Sequence, residues 1–367
     1  MRIAILGTRG IPNRYGGFER FAEVVSPIFA ESGHNVFVLS HNNGHSEYTD
    51  FFKGVYIVNI VTPTWLPRNV QTLLYDLKSL IWASQHDIDA ILECGYSHAV
   101  WLIFYRKVFW RKIVTNTDGL EFNRKKWHFF AKLFLRVCEG MAVRKSGFLV
   151  CDNVMLVDYF RHKYNVTPTV IPYGAFQVSE TFLQSEMEQY GVVANYFLMV
   201  TRFTPENSID LVLDVFSKNG LPLVIVGDYS NNYGQLCFNK YQEYSNIKFL
   251  GSIYNQNKLN ALRYNALAYI HGHSVGGTNP SLLEAMACKC FVIAHDNVFN
   301  RSVLNNSGLY FTTSVDLAKC LNQLRAMDQF EVQQAKQFNY QRIIDEYGWY
   351  DAAELYLKLF SAINQCP

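Results

Sequence analysis

The chain has 367 residues, 49% of them hydrophobic and 17% charged, with a formal net charge of +2. At roughly 100–200 residues per domain, this length predicts two domains, each with apolar residues enough for its own core. So small a basic excess, with no recognised nucleic-acid motif, argues against nucleic-acid binding, and no apolar run reaches the roughly 20 residues that span a bilayer.

Short apolar and β-branched runs alternate with longer segments of helical period. Strands are expected at 2–6, 35–39, 55–60, 89–93, 112–116, 147–151 and 168–172, with helices at 17–32, 69–85, 125–145 and 153–163 between most of them. Repeated βα of this kind predicts a parallel sheet with helices on both faces. After a polar stretch near 176–194 the pattern restarts. Strands are expected at 196–201, 222–226, 246–250, 267–271 and 290–294, and helices at 207–218, 256–264, 280–288 and 315–326. The expected class is α/β with two Rossmann-like, doubly wound domains, over 1–175 and 176–348. An amphipathic helix then occupies 349–367, with Leu355, Leu357, Leu359 and Phe360, and is placed to cross back onto the first domain. Tandem domains of this type are expected to face each other across a cleft, with ligands at the carboxyl ends of their strands.

Charge is uneven along the chain. Residues 1–175 hold 20 Lys/Arg against 14 Asp/Glu, and the excess reverses afterwards. Such asymmetry suits an anionic partner such as a phospholipid surface; chance asymmetry is the plain alternative. The eight cysteines are scattered without a CxxC pair, so no zinc site is expected and a reduced, cytoplasmic setting is. Met1-Arg2 leads straight into a strand with no signal-peptide h-region. Any membrane association is therefore expected to be peripheral, at the inner face of the plasma membrane.

Four segments carry the candidate chemistry. The first strand runs into Gly7-Thr8-Arg9-Gly10-Ile11-Pro12, and Gly16-Gly17 opens the next helix. Strand, glycine loop and helix start form a phosphate-binding layout, because glycine lets backbone approach an anion and the helix start offers free N–H groups. The spacing matches neither GxGxxG nor GxxxxGK[ST], which disfavours nicotinamide binding and P-loop hydrolysis. The second segment is Thr201-Arg202-Phe203, an Arg at a strand end suited to clamp a diphosphate. The third is His271 to Ala287, where Pro280 fits a first helical turn. The amides of Gly277 and Thr278, with Asn279 beside them, suit a diphosphate, and Glu284 suits a pair of ribose hydroxyls. The fourth is Thr117 to Trp127, where Asp118 and Glu121 are placed to bind acceptor hydroxyls or take a proton. The basic and aromatic stretch 124–132 that follows is placed to rest on a membrane surface. Each segment also has a plain structural reading, as a turn, a capped loop or a solvated helix face. Asp87-Ile88-Asp89 spells DxD but reads better as a helix–strand turn.

On Gly7 to Pro12, Tyr15 to Glu19, Thr117 to Glu121 and His271 to Ala287, the chain resembles a family 4 glycosyltransferase of the GT-B fold, bacterial rhamnosyltransferase-type subgroup. The resemblance implies a retaining transfer of a sugar from a nucleotide donor to a glycan acceptor, often lipid-linked, in capsule or O-antigen synthesis. It implies a nucleotide-sugar co-substrate, dTDP-rhamnose or a UDP-sugar, with no other cofactor and no metal. By position, Glu284 takes the ribose contact, Arg202 the donor diphosphate, and Gly16 and Gly17 the loop closing over the donor phosphate. Asp118, Glu121 and Arg202 are the expected catalytic groups, with Arg9, Arg14, Asp118 and Glu121 on the acceptor side. Three departures stand out. Asn207 occupies the place of a frequent Lys, Gly276 that of the first Glu of the family's pair, and Asp118 that of a frequent His. Arg9 or Arg14 is expected to supply the missing positive charge. A sugar-nucleotide epimerase on the same fold and a non-catalytic donor-binding subunit are the rival readings.

Overall fold

The computed structural model describes residues 1–13, 16–42, 51–123, 127–178, 190–192 and 195–365. The chain divides into two units. The first comprises Met1–Asn123, Trp127–Tyr173 and the C-terminal segment from Trp349, and the second comprises Gly174–Gly348.

The first unit runs β1 (Arg2–Leu6), α1 (Gly17–Glu31), β2 (Asn35–Asn42), β3 (Phe51–Phe52), β4 (Val55–Val61), α2 (Arg68–Gln85), β5 (Ala90–Cys94), α3 (Lys107–Arg111), β6 (Ile113–Asn116), α4 (Phe129–Lys145), β7 (Phe148–Cys151), α5 (Met155–Tyr164) and β8 (Thr169–Val170). A 3-10 turn, Ser97–Phe104, follows β5. The sheet order is β3-β4-β2-β1-β5-β6-β7-β8, parallel apart from the short β3–β4 pair. Its central strands β1 and β5 are almost wholly buried, which is why they read as mainly apolar runs, Ile3–Leu6 and Ala90–Leu92. Strand order reverses between β1 and β5, so the crevice of a doubly wound sheet lies beyond Leu6 and Cys94.

The second unit runs β9 (Phe197–Val200), α6 (Ile209–Asn219), β10 (Leu223–Val226), α7 (Asn232–Tyr241), β11 (Ile247–Phe249), α8 (Gln256–Tyr264), β12 (Ala268–His271), α9 (Pro280–Ala287), β13 (Val292–His295), α10 (Val298–Leu304), β14 (Leu309–Phe311), α11 (Ser314–Ala326) and α12 (Gln329–Glu346). Its sheet, β11-β10-β9-β12-β13-β14, is wholly parallel among the described residues and reverses between β9 and β12. Cores of Phe197, Phe216, Leu223 and Ile293 on one face, and of Leu198, Leu262 and Tyr269 on the other, sandwich the sheet.

The expected strands are all present, several of them trimmed. The expected helix at 125–145 begins at Phe129, and residues 124–126 lie outside the described set, as does most of the polar stretch after 178. Elements α3, α7, α10, α12, β3, β14 and the 97–104 turn were not expected from the pattern. They are short or carry few apolar residues: α12 buries only Val332, Asn339 and Ile343 of its 18 residues.

The last helix, α13 (Trp349–Gln365), packs on α1 of the first unit. Phe21 stacks edge-on against Tyr356 at 5.4 Å between centroids, and Phe29 against Phe360 at 5.6 Å. Trp349 adds a tilted contact to both Phe21 and Tyr173. Asn116 Nδ2 donates to the Tyr356 hydroxyl at 2.9 Å. The helix therefore reaches the end of β6, just before Asp118. Phe360→Ala removes a fully buried ring and is expected to cost about 3–5 kcal/mol, read as a lower urea midpoint of the first unit; a change under about 1 kcal/mol would mean that α13 is not part of that core.

Candidate active site

In the second unit the two strands at the reversal point carry the candidate donor loops. Arg202 follows β9 and is exposed, while Thr201 and Phe203 on either side are buried. Its loop is shaped from within by Asn207, whose buried Nδ2 donates to Thr201 Oγ1 at 3.0 Å and to Arg202 O at 2.8 Å. Asn207 therefore fastens the turn that displays the arginine, and its side chain is committed to backbone. Beyond β12, Ser274 donates to Glu206 O through its N–H at 3.0 Å and its hydroxyl at 2.8 Å. A β-carbon on Gly272 would stand 2.2 Å from Asn207 O. The Arg202 loop and the loop after β12 are thus locked together. On the other side, Asn297 and Asn300 both donate to His273 O, at 3.0 and 3.1 Å.

Gly276 has φ +127, a backbone angle that a side chain disfavours. This accounts for the absence of a glutamate there. Gly277 and Thr278 are buried, and Asn279 precedes α9 as an N-cap whose side chain makes no capping bond. Pro280 opens the helix, as expected. Glu284 lies in its second turn. Arg263 of α8, 1% exposed, donates from Nη2 to Glu284 Oε2 at 2.5 Å, and from Nη1 to Asn260 Oδ1 at 3.3 Å. A guanidinium held in this way fixes the carboxylate's direction.

In the first unit, Gly7 leaves β1 with φ +79, and a β-carbon there would meet Cys94 O at 2.3 Å. The loop is tied to α1 by Glu19, which accepts Arg9 N at 2.9 Å, while Asn13 N donates to Glu23 Oε1 at 3.0 Å. Gly16 is the N-cap in extended backbone, and nothing described lies within 4 Å of where a Gly17 β-carbon would stand. Arg9 is exposed. Arg14 lies outside the described residues. Asp118 sits in left-handed backbone, φ 54, its N–H donating to Asn116 Oδ1 at 2.9 Å and its Oδ1 accepting from Tyr173 at 3.4 Å. Glu121 Oε1 accepts the Trp127 indole N–H at 3.0 Å. Glu121 is therefore joined to the start of the basic and aromatic stretch.

Two groups went unnoticed in the sequence. One is Arg263, whose partner lies 21 residues away. The other is a buried set behind β5: Asp76, Glu93 and His98. Ser97 Oγ donates to Asp76 Oδ2 at 2.7 Å, and His98 Nδ1 lies 3.1 Å from Glu93 Oε2. Burial pushes Asp76 up to about 7, against the bond from Ser97; burial, then Asp76, raises Glu93 well above the usual range; and burial takes His98 down to about 3. His98 is therefore neutral at pH 7.

Residues 1–176 match the model of a domain of unknown function (DUF1972), and residues 186–336 match that of glycosyl transferases group 1. No match was found among curated protein sequences. Among solved structures, sucrose-phosphate synthase from Thermosynechococcus elongatus matches with a TM-score of 0.83 at 16% identity, covering 98% of this chain and 99% of that one. HepE from Anabaena, in complex with UDP and glucose, matches at 0.78 and 15%, with 98% and 99% covered. WaaG, a glycosyltransferase involved in lipopolysaccharide biosynthesis, matches at 0.72 and 14%, with 98% and 99% covered. The fold is that of the GT-B enzymes, and residues 186–336 match the glycosyl transferases group 1 domain. Its second unit carries the group 1 glycosyltransferase domain, which takes in Arg202, the Gly276–Asn279 loop, Arg263 and Glu284.

Arg263→Met strands a largely buried carboxylate and is expected to cost about 3 kcal/mol, with Arg263→Met/Glu284→Leu recovering most of it; a single-variant loss below about 1 kcal/mol in chemical denaturation would refute the pairing. Asp76 has a folded-state pKa above its ordinary 3.8, so its contribution is full below about 4 and is lost as pH rises to about 7. Asp76→Asn abolishes that loss. Its stability relative to the parent should therefore rise across this window by up to about 4 kcal/mol, and a flat difference from pH 4 to 7 would contradict a raised pKa.

Proposed function

We propose that the protein is a retaining glycosyltransferase that moves a sugar from a nucleoside-diphosphate donor to a lipid-linked glycan acceptor in bacterial capsule or O-antigen synthesis. The observation that carries the donor half is the pair of loops fastened together at the β9/β12 reversal point, with Arg202 displayed on one and α9 opening from the other. In this reading Arg202 and the Gly277–Thr278 amides take the diphosphate, Asn279 lines the same turn, and Glu284, aimed by Arg263, accepts ribose hydroxyls. HepE, a structural neighbour, is complexed with UDP and glucose, which supports a nucleotide-sugar donor. WaaG's part in lipopolysaccharide biosynthesis supports an envelope glycan as product. Rhamnose, carried as dTDP-rhamnose, is the sugar the subgroup resemblance favours, with a UDP-sugar as the other candidate.

The acceptor hydroxyl attacks the anomeric carbon on the face from which the nucleotide leaves. The bond from that carbon to the phosphate oxygen breaks, the new glycosidic C–O bond forms, and the departing phosphate oxygen takes the hydroxyl proton. Arg202 and the loop amides stabilise charge building on the leaving diphosphate, where fixed donors are most effective. Asp118 and Glu121 orient the acceptor. By the family resemblance Gly16 and Gly17 belong to the loop that closes over the donor phosphate, and Arg9 or Arg14 adds the positive charge that Asn207 does not supply. No metal is assigned a part.

Label from a panel of nucleotide sugars, dTDP-rhamnose included, is expected to pass from one donor into lipid-linked acceptors of bacterial membranes. Arg202→Ala should lower turnover by more than tenfold, roughly 1.4 kcal/mol, with the unfolding midpoint unchanged. A smaller loss would remove Arg202 from the diphosphate. Donor binding by calorimetry without transfer to any acceptor would make the protein a binding subunit, and release of an epimerised sugar without acceptor would make it an epimerase.

A further inference from the structure

We propose that one face of the first unit, formed by the end of the 97–104 turn, α3 and the outer side of α4, adsorbs onto an anionic lipid bilayer; this deepens the lipid-linked reading above and rests on it for its purpose. α4 packs against both the turn and α3. Trp110 donates its indole N–H to Leu102 O at 2.8 Å, and Lys145 Nζ lies 3.7 Å from the centre of the Trp110 ring. The three elements therefore form one surface.

That surface is apolar where a solvated helix should be polar. Phe104, Val108, Phe129 and Phe130 are 71–75% exposed. On α4, Leu135, Cys138 and Ala142 face the core, while Phe129, Leu133 and Val137 recur every fourth residue on the opposite, exposed side. Both stripes of this helix are hydrophobic, and only one has a core to enter.

Charge completes the case. Arg106, Lys107, Arg111, Arg136 and Arg144 are exposed among or beside these residues. The sole carboxylate on the three elements is Glu139, which is fully buried and accepts bonds from Tyr159, Tyr164 and Lys163. Exposed aromatic and aliphatic groups ringed by cations, with no exposed anion among them, match the boundary of acyl chains and anionic headgroups. The aromatic rings enter the boundary and the long cationic side chains reach the phosphates. No helix among the described residues is long and apolar enough to cross a membrane, so the contact is one of adsorption. The sequence expectation of a membrane contact ran over 124–132, of which 127–132 are described; the face proposed here takes in 104–111 and 133–144, through packing that the linear pattern does not display.

The test is co-sedimentation of the full chain with phosphatidylcholine vesicles, with and without phosphatidylglycerol, across a salt series. Binding is expected to vesicles containing phosphatidylglycerol and to weaken as salt rises. Phe129→Ser/Phe130→Ser should lower it by at least tenfold, and Arg106→Gln/Lys107→Gln by about fivefold per cation. Both variants should keep the parent's circular dichroism and its transfer rate onto a water-soluble acceptor. No binding of folded protein to anionic vesicles, or equal binding by parent and variants, would overturn the proposal. Vesicle binding without transfer into lipid would leave the docking face standing and overturn the lipid-linked acceptor. Transfer into a lipid-linked acceptor without vesicle binding would do the reverse.

Discussion

At the reversal point of each sheet, loop backbone lies against loop backbone with no space for a β-carbon. The contact of Gly7 with Cys94 O joins the ends of β1 and β5, and that of Gly272 with Asn207 O joins the loops after β12 and β9. These approaches fix where the catalytic loops leave the sheets. They also make each pair of loops a single object. The two bonds from Ser274 to Glu206 O, and those from Asn207 to the Arg202 turn, reinforce a contact that close packing already dictates.

The two departures from the family pattern in the second unit follow from this arrangement. At position 207 a short amide turns inward and secures the turn. At position 276 a positive φ leaves the turn suited to glycine.

Much of this was legible in the sequence because buried parallel strands announce themselves. Runs such as 3–6 and 223–226 are apolar at every position, since both faces of the strand are covered. The motif at 271–287 was legible because glycines, Pro280 and Glu284 stand at the turns of a strand–loop–helix unit. Arg263 was not, since an arginine on a helix is ordinarily a surface residue, and only the fold brings it under Glu284. Glu93 offered a faint signal as a carboxylate closing the apolar run 89–93, but its burial with Asp76 and His98 depends on α2 and the 97–104 turn packing over it. The apolar face of α4 was obscured because hydrophobic residues on both of its sides blur the helical period.

The return of α13 to the first unit has a consequence for biosynthesis. Tyr356 supplies the hydroxyl that receives Asn116, and Asn116 in turn holds the backbone of Asp118. The turn bearing a candidate catalytic carboxylate is therefore completed by residues that are translated only after the whole of the second unit. The first unit begins synthesis earlier but cannot finish folding until the whole of the second has emerged. A nascent chain stalled in the second unit would expose Phe21 and Phe29 without their partners.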